Sequence, residues 1–331
     1  MKLRKTSTGL GAMDSISVPS VLQQVAEANP DVVAMRQKTG TGEWKQWTYQ
    51  NLDEEVQTVG KAMLEIGLHR HHSVAIIGSN SPHWIIANFA TISAGGISAG
   101  VNESLSAEEV ARICIDCKAD LIVVENEALL KKVLLVQHKL PGLKCIIQCE
   151  GEPPLSDQRR LAKSHKKHIL SWAGLLDLGK ALPVDRLEER LTKVSINQCC
   201  SLVYATSNKG VMLSHDNLTW SAKMALGVIR APGFNRTPSP GEEVMISFLP
   251  LSHISTQLID IYYMISVAGT TVFPNTDILN NRDDFFAALE EVGSDLLTDL
   301  VDYHPIVHCY TWVSFPLISS TRQIMRLKNT T

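Results

Sequence analysis

Four short aliphatic runs, VAIIG at 74–78, DLIVVE at 120–125, KCIIQC at 144–149 and SLVYA at 201–205, alternate with stretches of helical periodicity. Runs this apolar on both faces read as strands buried on both sides. Strands separated by helical crossovers must lie parallel, so the pattern predicts a doubly wound α/β sheet with ligands at the carboxyl ends of its strands. Some helix starts are explicit. In SNSPHWIIANFATISAGG, Ser81 is placed to cap and Pro82 to occupy the first turn. A second helix is expected from Ala107 to Cys117, ending before DLIVVE.

With 331 residues, 44% of them hydrophobic and 20% charged, the chain has enough apolar material for a large core. Its formal net charge of -3, with signs evenly mixed, provides no basic stripe for nucleic acid. Seven cysteines fit a reducing compartment and read as buried thiols. The apolar stretch Val244 to Phe273 is interrupted by Ser247, Pro250, His253, Gln257 and Asp260, which argues against a bilayer span. Residues 1–17 are basic without an apolar core and read as a disordered leader. The Pro-containing polar stretch 151–167 and the proline-rich 231–243 are the boundary candidates, with a subdomain boundary placed near 151–195. The predicted location is the cytoplasm, with peripheral contact at the endoplasmic reticulum membrane as the second choice.

The segment SLVYATSNKGVMLSH, followed by DNLTWSAKMALGVIR, reads as strand, polar turn with lysine, helix. A phosphate cradle needs inward N–H groups, glycines that permit them, a lysine and a helix N-terminus. Thr206, Ser207, Lys209 and the following helix supply the polar parts, but Gly210 is the only glycine. From local chemistry alone, a bare connection is the better reading of the turn.

Three blocks in order change that weighing: VAIIGSNSPHWIIANFATISAGGISAGVNESLSAEEV, SLVYATSNKGVMLSHDNLTW and ISFLPLSHISTQLIDIYY. With them the chain resembles the adenylate-forming (AMP-binding) acyl-CoA synthetases, most of all the bubblegum-type long-chain fatty acid–CoA ligases. The resemblance covers residues 18–296 and implies the α/β N-terminal part of such an enzyme. It also implies that a long-chain fatty acid is activated with ATP and Mg2+ to an acyl-adenylate and passed to coenzyme A.

The family's loop runs Tyr-Thr-Ser-Gly-Thr-Thr-Gly-x-Pro-Lys-Gly, whereas here Tyr204 reaches Lys209-Gly210 through Ala-Thr-Ser-Asn, four positions short. The missing contour is about 13 Å at roughly 3.3 Å per residue. Thr206, Ser207, Lys209 and Gly210 are the remnants that the resemblance assigns to the ATP phosphates, and His253 in FLPLSHI is the counterpart of the histidine beside the acyl-adenylate. The alternative for His253 is a histidine satisfied by hydrogen bonds at a strand end. His215 has a weaker case, since Ser214, His215 and Asp216 also read as a helix cap.

The family's later motifs have no counterpart before Thr331, and residues 297–331 read as a divergent tail, so the expectation is a chain without the C-terminal domain. Two readings of function follow. One is a long-chain fatty acid–CoA ligase-like enzyme, impaired by its short loop. The other is a catalytically inactive relative that binds a partner, such as a full-length synthetase. Neither Cys114-x-x-Cys117 nor GLHRHH at 67–72 offers a metal site: the first lacks a second pair, and the second has no nearby carboxylate in sequence.

Overall fold

The computed structural model describes residues 14–165, 168–204, 209–229 and 238–274, with only the backbone for 160, 162–165 and 225–229. All of them lie in one compact unit, Met1–Leu279. The strands are β1 (Val33–Lys38), β2 (Trp44–Thr48), β3 (Ser73–Ile77), β4 (Ile97–Val101), β5 (Ala119–Val124), β6 (Cys145–Gln148), β7 (His168–Ser171), β8 (Cys199–Tyr204), β9 (Gly210–Ser214), β10 (Val244–Ile246) and β11 (Thr270–Phe273). The helices are α1 (Val18–Ala28), α2 (Tyr49–Ile66), α3 (Pro82–Ser93), α4 (Ala107–Asp116), α5 (Glu127–Val136), α6 (Leu155–His165), α7 (Trp172–Lys180), α8 (Asp185–Thr192) and α9 (His215–Ile229).

Seven strands form one sheet in the order β7-β6-β5-β3-β4-β8-β9, parallel except for the final β8–β9 pair. All four aliphatic runs are in it. β3, β4 and β5 are buried at every residue, as expected of strands covered on both faces. The second sheet, β10-β11-β1-β2, was not visible in the sequence because it joins segments more than 200 residues apart, with Met35 opposite Thr271.

Local signals set the helix ends. Ser81 accepts from the Trp84 N–H, with Pro82 opening α3, and Ser106 forms a reciprocal box with Glu109 at the start of α4. Gly67 ends α2 in the left-handed region at φ 109°. On α2, Leu52, Val56, Val59 and Met63 recur at helical spacing and are buried. This face and the almost wholly buried α3 form the larger core cluster beneath the seven-stranded sheet.

Three details differ from the sequence reading. The polar stretch 151–167 contains α6, a solvated crossover between the adjacent strands β6 and β7. Within the leader, Ser15 donates to Asp216 at 2.8 Å and Ser17 caps α1. Between the lysine turn and the helix there is an additional strand, β9. The six described cysteines are free, four of them buried, as expected of structural thiols. Among the described residues no helix is long and apolar enough to cross a membrane.

Candidate functional site

The α/β rule directs attention to the carboxyl ends of the parallel strands. The sheet order makes β3 and β5 neighbours whose connections leave in opposite directions, so the switch point lies between them. That crevice is bridged: Ser79 donates to Glu125 through its backbone N–H at 2.9 Å and its hydroxyl at 2.6 Å. The available edge is therefore shifted towards β4 and β8.

Residues 247–253 fold over this edge. Asn80, just after β3, donates to the Ser247 hydroxyl at 2.8 Å and the Leu249 carbonyl at 2.7 Å, and accepts from the Leu251 N–H at 2.9 Å. Gly100 in β4 lets the turn close down, because a Cβ there would lie 3.2 Å from the Ser252 Cα and 3.1 Å from Trp84. His253 follows, exposed, in extended conformation at the start of the helical turn Ile254–Thr256. Its backbone N–H donates to the Pro250 carbonyl, and its ring makes no hydrogen bond among the described residues. The reading of His253 as a satisfied strand-end histidine does not match this geometry.

A π-helical stretch, Gln257–Tyr263, supports the turn from behind. Such widened turns are often found at functional sites. Gln257 donates to the Leu251 carbonyl at 2.8 Å, and Asp260 accepts from the Ser247 hydroxyl at 2.6 Å. Asp260 is wholly buried, and its Oδ1 has no hydrogen-bond partner among the described residues. Burial pushes its carboxyl well above the usual carboxylate range, against the opposing hydrogen bond from Ser247.

A raised folded-state pKa gives stability that is present below the unfolded value and lost as pH rises towards the folded one. Asp260→Asn should therefore raise the melting temperature at pH 7, and the gain should shrink as pH falls towards 4. A gain that stays constant with pH would contradict the assignment.

The next strand end carries the lysine turn. Gly100 pairs in register with Val203, so the His253 turn and the β8–β9 hairpin stand on neighbouring strands. The hairpin closes at Tyr204 opposite Gly210, leaving 205–209 as its loop. Thr206 and Ser207 lie outside the described residues; Lys209 is exposed.

The expectation that a helix follows this turn directly is corrected. α9 does not open directly off the turn, because β9 runs antiparallel and returns the chain, so that Ser214 lies opposite Cys199 before α9 starts. At Gly210 a Cβ would be 2.9 Å from the Tyr204 ring and 3.1 Å from Leu202. The Tyr204 hydroxyl donates to Asp116 at 2.6 Å.

His215 has a structural place, fully buried with Nδ1 accepting from the Val18 N–H at 3.2 Å, while Ser214 and Asn217 cap α9. At the amino ends of the strands, the fold supplies the carboxylate that the sequence around GLHRHH lacks. His69 and His72 place Nδ1 3.0 and 3.1 Å from Asp120 at the start of β5. Lys144 Nζ is 3.0 Å from His69 Nδ1 and 3.4 Å from Asp120, so an ammonium already stands in this cluster. It is the one group of potential metal ligands among the described residues, on the edge opposite the His253 turn.

Comparison with known proteins matches this architecture. The AMP-binding enzyme family matches residues 22–298. A long-chain-fatty-acid–CoA ligase ACSBG2 of Xenopus laevis is 35% identical over 283 residues, covering 84% of this chain and 36% of that protein. The Homo sapiens ACSBG2 is 31% identical, covering 88% and 41%. The chain thus spans well under half the length of these relatives. Among solved structures, the adenylation domain of a Mycobacterium chelonae carboxylate reductase superposes with a TM-score of 0.66 at 16% identity, covering 84% of this chain and 45% of that one. A putative long-chain-fatty-acid CoA ligase from Rhodopseudomonas palustris gives 0.64 at 17%, covering 83% and 61%. A parallel sheet edge carrying the hairpin and the His253 turn, together with these matches, shows that the chain belongs to the AMP-binding enzyme family, with the fold of its N-terminal adenylation region and bubblegum-type long-chain fatty acid–CoA ligases as relatives.

Proposed function

We propose that this chain is a long-chain fatty acid–CoA ligase-like protein in which carboxylate activation is impaired at the phosphate loop. The β8–β9 hairpin supports this reading, since its loop is only residues 205–209 and its glycine packs against Tyr204. The fatty acyl carboxylate would approach the exposed His253 ring, whose turn is fixed by Asn80 and the Gly100 approach. Adenylation depends on preorganised donors around a transferring phosphoryl group. A loop with one lysine and no phosphate-facing glycine provides few of them. ATP should therefore bind weakly, and Mg2+ and coenzyme A should add little.

Titration of Mg-ATP into the full chain tests this, with dissociation expected in the millimolar range. Replacing residues 205–208 with the eight residues Thr-Ser-Gly-Thr-Thr-Gly-x-Pro, a net gain of four, should tighten binding at least about tenfold, the scale of one charge-assisted contact. Micromolar binding by the unaltered chain would sink the proposal.

The reading of a partner-binding relative has its own observation. β9 is the edge of its sheet, and Val211 and Met212 on it are more than half exposed, at 54% and 56%. Exposed apolar edges favour strand addition or association.

A further inference from the structure

Helix α8 carries Arg186, Glu189 and Arg190, and Lys193 at its C-cap continues the spacing i, i+3, i+4 and i+7, which places them along one face, while Leu187 points into the core. Facing them is Arg70, from the loop between α2 and β3. These side chains and Leu64 line a cleft of about 360 Å³. Gly95, at φ 75°, leaves room beside it; a Cβ there would already come within 3.7 Å of Arg70 and 3.9 Å of Arg190.

Intramolecular contacts orient the cations. Arg186 pairs with Glu65 at 2.6 Å and donates to the Leu64 carbonyl, and the Arg70 guanidinium donates to the Lys193 carbonyl. Lys193 pairs with Glu189 at 2.5 Å. Arg190 forms no ion pair among the described residues. Four cations thus face two carboxylates, leaving an excess of positive charge around an open volume. Neighbouring groups register it. His71 is held below its usual range by burial and then by Arg70 and Arg190. Glu189 is held low first by its Lys193 hydrogen bond, with Arg190 and Arg186 adding to it.

We propose that this cleft is an anion site for a phosphate-bearing ligand. Three guanidinium groups, one on the loop and two on the helix, suit the several oxygens of a phosphate better than the single plane of a carboxylate. The excess charge matches a phosphate dianion. The cleft is at the amino ends of β3 and β4, beside His71 and Gly95, on the opposite edge from the hairpin and the His253 turn. It is thus separate from the family's nucleotide and acyl positions, and its proposal does not depend on the functional reading above. The phosphate has two sources by chemistry, a free soluble ester or a phospholipid headgroup.

The full chain distinguishes them. One arm titrates inorganic pyrophosphate at low ionic strength by calorimetry. The other sediments the chain with phosphatidylcholine vesicles with and without phosphatidic acid. Saturable pyrophosphate binding supports a soluble source, and phosphatidic acid-dependent sedimentation without it supports a lipid source. In either arm, Arg70→Gln and Arg190→Gln should each weaken binding at least about fivefold, and Glu189→Gln should strengthen it. Lys209→Gln should leave it unchanged, which separates this site from the phosphate loop. Strengthening by Glu189→Gln cannot arise from misfolding, and the variants of exposed Arg70 and half-buried Arg190 are checked by their melting curves. Absence of binding in both arms, or binding unaltered by the Arg70 and Arg190 substitutions, overturns the proposal.

Discussion

Gly179→Ala should lower the melting temperature by roughly 10 °C, although local reasoning predicts the opposite sign. Gly179 is inside α7, where replacing glycine with alanine ordinarily stabilises a helix by about 0.5–1 kcal/mol. Here a Cβ would be 2.1 Å from the Thr58 carbonyl oxygen and 2.8 Å from its carbon, both backbone atoms of α2. A side chain could rotate away, but two packed helix backbones cannot. α7 must shift from α2, which forms the centre of the larger core cluster, and overpacking costs about 1–3 kcal/mol, with a clash between two helix backbones at the upper end. For a chain this size each kcal/mol moves the midpoint by roughly 2–4 °C. Gly142→Ala is the control, with nothing within 4 Å of its Cβ position, and should change little. A Gly179→Ala protein as stable as the parent would show that α2 and α7 are not in this contact.

The second large effect is acid sensitivity. His215 is buried and His83 is packed edge-on against Trp172 at 4.8 Å. Desolvation lowers both to about 4, with Lys45 adding to the effect on His83. Both titrate near 6.5 in the unfolded chain. A depressed folded-state pKa means that, as pH falls below about 6.5, the unfolded chain takes up protons that the folded one refuses. Stability falls through that window until about pH 4, by about 3 kcal/mol for each histidine. Asp260 acts in the opposite direction, as its carboxyl is held high. His215→Gln keeps an acceptor for the Val18 N–H and cannot titrate. Its unfolding free energy should lose one proton of pH dependence between 6.5 and 4, measured by urea titration at several pH values. A slope equal to the parent's would rule out His215 as a titrating group.

Some of this was legible in the sequence because the signal was local. Val74–Ile77, Leu121–Val124, Cys145–Gln148 and Cys199–Tyr204 declare themselves as strands by unbroken burial or aliphatic content, and Ser81-Pro82 and Gly67 mark helix ends by their own backbone preferences. β9 was missed because VMLS is short and solvated on the sheet edge, with Val211 and Met212 exposed, so neither alternation nor burial identifies it. The resemblance to a known family located His253. It did not indicate Asn80 or Gly100, which fix that turn from segments some 150 to 170 residues away. Asp120 was likewise read only as the start of a strand. Its partners His69, His72 and Lys144 arrive through chain reversals that no spacing rule anticipates.

The β8–β9 ladder has an implication for how such a protein can change. Register from Tyr204 opposite Gly210 to Cys199 opposite Ser214 fixes both stems of the hairpin, so residues at its tip can be gained or lost without moving α9. Closing a loop of nine residues rather than five costs only about 0.5 kcal/mol more in chain entropy. Folding is nearly indifferent to a difference that decides whether phosphates can be enclosed. Selection for a stable scaffold therefore exerts almost no restoring force on this loop, and the chemistry at the tip can drift, or be rebuilt, while the rest of the architecture stays as it is.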